Sequence, residues 1–195
     1  MSYIINALSV DIEDWFQVGA FETTIKRVDW ESCESRVADN TDFLLELFDR
    51  ANVRATFFTL GWVAERHPDL IRRIVKGGHE LASHGYDHKR VFTFTPEQFR
   101  ADLRKSRALL EQAGAVPVQG YRAPSFSIDA RTPWAHAILA EEGYTYSSSV
   151  APVRHDQHDL LFGEARGVRD EVPELLHELE DVDALGEDEP EIERQ

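Results

Sequence analysis

An α/β fold, a parallel sheet or barrel of strands alternating with helices, is what the sequence predicts, on three observations. Short runs rich in β-branched and aromatic residues recur along the chain, each is followed by apolar residues at helical spacing, and cap or turn residues separate the two. The first strand is residues 3–10, Tyr-Ile-Ile-Asn-Ala-Leu-Ser-Val, ending in carboxylates, and a helix over 36–51 follows with Val37, Phe43, Leu44, Leu47 and Phe48 at helical spacing. The second strand, 53–60, contains Ala-Thr-Phe-Phe-Thr-Leu. The helix over 68–76 after it carries Leu70, Ile71, Ile74 and Val75 on one face until Gly77-Gly78 stops it. Residues 79–83 form the third strand, and Thr95 caps a helix that has Pro96 in its first position and ends near Gln112. A weaker repeat follows: strand 118–122, helix 132–142 and strand 144–148. In such folds function sits at the carboxyl ends of the strands.

Composition narrows the function classes. The 195 residues are 42% hydrophobic, enough for one globular domain with a sizeable core. With 36 acidic against 21 basic residues the net charge is -15, which argues against a partner held through phosphates or an anionic membrane surface, so no nucleic-acid partner is expected. The single cysteine, Cys33, cannot close an internal disulfide. Residues 1–14 hold neither a basic leader nor an apolar run long enough to span a membrane, and a cytoplasmic protein is expected. Most of the excess charge lies in residues 164–195, with 13 acidic and 3 basic residues. Residues 157–195 are therefore expected to be an acidic tail: one short amphipathic helix over 173–185, carrying Leu175, Leu176 and Leu179, then a solvated end.

Three strand ends carry unusual polar residues. After the first comes Ser9-Val10-Asp11-Ile12-Glu13-Asp14-Trp15, three carboxylates in four positions, a crowding that raises the pKa of at least one unless a cation neutralises it. After the third comes Ser83-His84-Gly85-Tyr86-Asp87-His88; on one helical turn His84 and His88 share a face and can reach one metal ion. Two histidines and a carboxylate leave open positions for water and substrate, as a hydrolytic metal site needs. The fourth strand ends in Gly120-Tyr121-Arg122-Ala123-Pro124-Ser125, where an arginine beside a carboxylate holds that group ionised and aimed. Each fragment has a plainer reading, as a surface histidine pair, a helix cap or a surface arginine; their shared position at strand ends favours a site.

In this order the three segments resemble the polysaccharide deacetylase family, the carbohydrate esterases with the NodB homology domain. The acidic pair of its first motif is matched by Asp11 with Glu13 or Asp14, its His-x-x-x-His by His84 and His88, and its Arg-x-Pro by Arg122 and Pro124. Val-Asp-Ile-Glu-Asp-Trp-Phe, Arg-Ala-Pro-Ser-Phe-Ser and Tyr-Ser-Ser-Ser-Val-Ala-Pro look closest to the subgroup of exopolysaccharide loci, similar to metal-independent allantoinases and peptidoglycan deacetylases. The resemblance implies a distorted (β/α) barrel of fewer than eight strands over residues 1–156, a divalent metal, often zinc, and removal of acetyl groups from N-acetylated saccharides. It gives Asp11 the role of general base, oriented by Arg122, and gives the metal to His84, His88 and one carboxylate. Glu13 is favoured because it shares a strand face with Asp11, and Asp14 has the shorter side chain usual in the family. A backbone N–H near Ser125, beside Pro124, would stabilise the oxyanion.

The resemblance also marks a departure. Family barrels continue past the Ser-Ser-Ser strand to a late histidine that serves as general acid, and no such segment follows here; the expectation is a barrel truncated at its C-terminal end, with His155 the nearest substitute acid. Three functions stay open at this point: a metal-dependent saccharide deacetylase, a metal-independent cyclic-amide hydrolase, and an inactive remnant.

Overall fold

The computed structural model describes residues 7–150. Over that span a five-stranded parallel sheet runs in the order β1 (Ser9–Ile12), β2 (Thr56–Thr59), β3 (Glu80–Ser83), β4 (Gly120–Tyr121) and β5 (Tyr146–Ser147). Helices fill the connections: α1 (Val37–Ala51), then α2 (Gly61–Arg66) with α3 (Pro68–Lys76), then α4 (Pro96–Gly114), then α5 (Ala135–Glu141). Each strand pairs in parallel with the next in sequence. Right-handed crossovers that always step the same way put every helix on one face of the sheet, which is the winding of a β/α barrel and not of a doubly wound sheet.

That winding explains the two faces of the strands. Ile12, Phe57, Leu81 and Tyr121 point to the helices and are almost fully buried, packing on Leu70, Ile71, Ile74, Phe99, Leu103 and Leu110. The register sets Ser9, Thr56 and Glu80 side by side on the opposite face, then Asp11, Phe58 and Ala82 in the next layer. This inner face is polar at its base, where Thr56 Oγ1 donates to Glu80 (2.6 Å) and Tyr146 Oη donates to the other Glu80 oxygen (2.7 Å).

Local signals place the best-read elements. Helix α3 has the bounds expected from its apolar face and the following glycines. The N-terminus of α4 is a capping box: Gln98 N–H donates to Thr95 Oγ1 and Thr95 N–H to Gln98 Oε1, ahead of Pro96. Two expectations need correction. The first strand runs through Asp11 to Ile12, because its register with β2 extends that far, whereas residues 3–6 of the expected strand lie outside the described residues. The short helix α2 escaped the sequence reading; six residues show no helical period, and its first two N–H groups are satisfied from a distant loop, Gly61 by Gly85 O and Trp62 by Tyr86 O. The tail, its helix over 173–185, His155 and the boundary at residue 156 also lie outside the described residues.

Candidate metal centre

Asp11 and Glu13 both project to the inner side of the sheet from the carboxyl end of β1, yet their surroundings differ. Arg122, just past β4, donates through Nη1 to Asp11 Oδ1 at 2.6 Å. The guanidinium is held from three further directions: Nη2 donates to Ser9 Oγ (2.9 Å) and Ser148 Oγ (2.9 Å), and Nε to the Ser148 carbonyl (3.3 Å). It also lies 4.0 Å above the Phe58 ring. Such a net of charge-assisted hydrogen bonds and stacking fixes the arginine before any ligand arrives. Ser9 and Ser148 were not singled out from sequence. The available signal is position: Ser9 is two residues before Asp11 on the same strand face.

Among the described residues, Glu13 meets no arginine or lysine. Burial, with the Asp11 charge beside it, pushes its carboxyl up to about 8. Among the described residues its Oε2 is buried without a hydrogen-bond partner, although His88 Nε2 lies 3.0 Å away. The two histidine rings are 5.3 Å apart, and ligand atoms of Glu13, His84 and His88 all fall within 4.8 Å of one another. Burial favours the neutral form of both rings, holding His84 below the usual histidine range and His88 near 3, where His84 and Arg90 add to the effect. His84 Nδ1 sits 2.8 Å from the Arg122 carbonyl, which can only accept, so Nδ1 carries the proton and Nε2 keeps its lone pair. Two neutral imidazoles and an orphaned carboxylate oxygen form a donor set that fits a divalent ion of the zinc type.

The geometry departs from the sequence reading in two respects. His84 and His88 do not share a helical turn: residues 84–88 form a loop, with Gly85 at φ +77° and His88 at φ +57°, and the loop's curl brings the rings together. Asp14 is placed outside the ligand group. It is 1% exposed, and its carboxylate accepts from Ser35 Oγ (2.6 Å) and from the N–H groups of Trp15 (3.1 Å), Arg36 (3.1 Å) and Val37 (3.4 Å), capping the start of α1. Those donors arrive from more than twenty residues downstream, except Trp15, which is why spacing alone left Asp14 beside Glu13 as a ligand candidate. Pro124 and Ser125 occupy a 3-10 turn directly after Arg122 in which Ser125 and Phe126 have φ near +50°, an uncommon conformation for non-glycine residues that concentrates at functional sites.

Comparison with known proteins gives the arrangement a context. A family model for polysaccharide deacetylases matches residues 29–147, a span that includes His84, His88 and Arg122 but not β1. A peptidoglycan deacetylase of Helicobacter pylori is 31% identical over 107 residues, covering 55% of this chain and 36% of the relative. A Mycobacterium smegmatis structure assigned to the polysaccharide deacetylases superposes with a TM-score of 0.61 at 31% identity, covering 74% of this chain and 50% of that one. A family 4 carbohydrate esterase pseudoenzyme of Bacillus anthracis, 19% identical, superposes over 72% of this chain and 41% of its own with a TM-score of 0.56, a likeness of fold alone. The chain thus spans half or less of the length of these proteins.

Proposed function

From the premise that this chain belongs to the polysaccharide deacetylase family, we propose that its site hydrolyses the N-acetyl group of a saccharide with the help of a divalent metal, zinc by the chemistry of its donors. One observation carries the reading: a carboxylate locked onto an arginine at 2.6 Å stands beside a separate cluster of two neutral histidines and an unpartnered carboxylate oxygen. The first is equipped to take a proton and the second to hold a cation.

Glu13, His84 and His88 would hold the metal, which when bound polarises the acetamide carbonyl and makes the attacking water more acidic. Asp11 accepts the proton of that water through a carboxylate oxygen, and Arg122, donating to its other oxygen, aims it. His84 holds its orientation through its Nδ1–H bond to the Arg122 carbonyl, so base and ligand are positioned by one residue. In the turn after Arg122, Pro124 has no N–H and the Phe126 N–H donates to the Ala123 carbonyl, so the Ser125 N–H would be the backbone donor for the oxygen that gains charge as the carbonyl is attacked. An exopolysaccharide as the acetylated polymer, and the cytoplasm as the place of action, belong to the same reading; the first rests on the Val10–Phe16 wording and the second on composition.

The test is acetate release from an N-acetylglucosamine oligomer by the zinc-loaded chain, with metal content measured on the same sample. Asp11→Asn is expected to keep the metal and lose about 100-fold or more of the rate, since an amide cannot accept the proton. Wild-type chain that takes up no zinc, or an Asp11→Asn variant of undiminished rate, would refute the proposal.

A further inference from the structure

Between His84 and His88, Gly85 and Tyr86 each have both backbone groups hydrogen-bonded. Gly85 N–H donates to Ser83 Oγ (3.2 Å), and the Gly85 and Tyr86 carbonyls each accept at 2.8 Å from Gly61 and Trp62 at the start of α2. The fourth group, Tyr86 N–H, donates to Asp102 Oδ2 at 3.2 Å. Helix α4 therefore reaches this loop twice, through Asp102 directly and through Ser106, whose hydroxyl is 3.2 Å from Ser83 Oγ. The two residues are four apart and share a helix face.

Gly85 shows how closely Asp102 is fitted. At φ +77° it adopts the left-handed conformation that glycine enters without steric cost, and a Cβ there would come within 3.2 Å of Asp102 Oδ2. Burial and the neighbouring Asp87 push the Asp102 carboxyl up to about 7, a cost that the bond to Tyr86 N–H offsets in part. An apolar residue at this position would avoid that cost and leave the Tyr86 N–H without its acceptor.

We propose that Asp102 is a positioning residue of the metal centre: by accepting the Tyr86 N–H it sets the curl of residues 84–88 and with it the separation of the two histidine ligands. The inference rests on the metal-site reading above and extends it to a residue on a different element. Asp102 acts through the loop backbone and holds no reacting atom.

The test uses the full chain, stripped with a chelator and titrated with Co(II), whose visible absorption reports ligand geometry independently of turnover. Five proteins are compared: wild type, Asp102→Ala, Asp102→Glu, Asp102→Asn and Leu110→Ala, the last a core variant of the same helix that lowers global stability without touching the loop. Asp102→Ala is expected to weaken Co(II) binding by about tenfold or more and to change the absorption bands. Asp102→Glu keeps the charge but displaces the acceptor, and should behave like Asp102→Ala, which covers the case in which the alanine variant does not fold. Asp102→Asn keeps a carbonyl acceptor and should restore binding, and Leu110→Ala should bind as wild type while melting lower. The proposal fails if Asp102→Ala and Asp102→Glu bind as wild type, if Asp102→Asn is as weak as Asp102→Ala, or if Leu110→Ala loses as much. Wild-type chain that binds no Co(II) is a different result, which overturns the metal-site reading itself.

Discussion

Asp11, on β1, and Glu13, just past its end, are two residues apart, but one is paired with a cationic side chain and the other is buried without one among the described residues. Asp11 has a guanidinium at 2.6 Å that is itself held by two serines and an aromatic ring. Glu13, with the greater burial and no hydrogen bond to Oε2, is driven toward its protonated form. The contrast teaches that two carboxylates of one segment can be given opposite surroundings, one paired with a guanidinium and the other buried beside two imidazoles, and the proposed split between proton transfer and metal binding rests on that difference. On the proposed reading, a bound metal would take the place of the Glu13 proton.

Three experiments would break or sharpen this contrast. The largest effect is expected from His88→Ala, which removes one of the three proposed ligands and should weaken zinc binding by about 100-fold or more, read by competition with a chromophoric chelator. Unchanged affinity would remove His88 from the ligand set and leave its proximity to Glu13 without that role.

Next comes Asp14→Ala, which distinguishes the third carboxylate from the other two. The substitution strands N–H groups at the start of α1, and unfolding in denaturant should show a loss of about 2 kcal/mol. Zinc affinity of the folded variant should stay that of the wild type. A large drop in affinity with stability preserved would return Asp14 to the ligands.

The smallest effect per step is the pH dependence of zinc binding. Glu13 holds its proton in the metal-free protein up to about pH 8, whereas both histidines are already neutral at lower pH, so binding near neutrality releases one proton, from Glu13. Affinity should rise by about tenfold per pH unit from pH 6 toward pH 8 and level off above it, where no proton is left to displace. Calorimetry in buffers of different ionisation enthalpy counts that proton directly. A flat profile across this range would show that Glu13 is already ionised in the free protein.

Much of the frame was legible because its signals are local. The Thr95-Pro96 start of α4 and the Gly77-Gly78 end of α3 are decided by groups within a few residues, and the alternation of strand and helix is a matter of apolar spacing. The residue types at the strand ends were legible for the same reason: Asp11, His84, His88 and Arg122 stand out against the apolar runs they follow. The short α2 was not legible, since the partners of its first N–H groups lie in the 84–88 loop.

What the sequence by itself determined is thus the alternating architecture, the chemical kinds of group at the strand ends, and their resemblance to one family. Only the tertiary structure decided what each group does. Asp14 became a cap because Ser35, Arg36 and Val37 bring it donors. Glu13 is left as a candidate ligand because, among the described residues, its Oε2 has only the His88 ring nearby, and Asp11 is paired because Arg122 reaches it from 111 residues away. The charge state of a carboxylate depends on how far water has been removed and which donors replace it, and both are properties of contacts between segments that are remote in sequence.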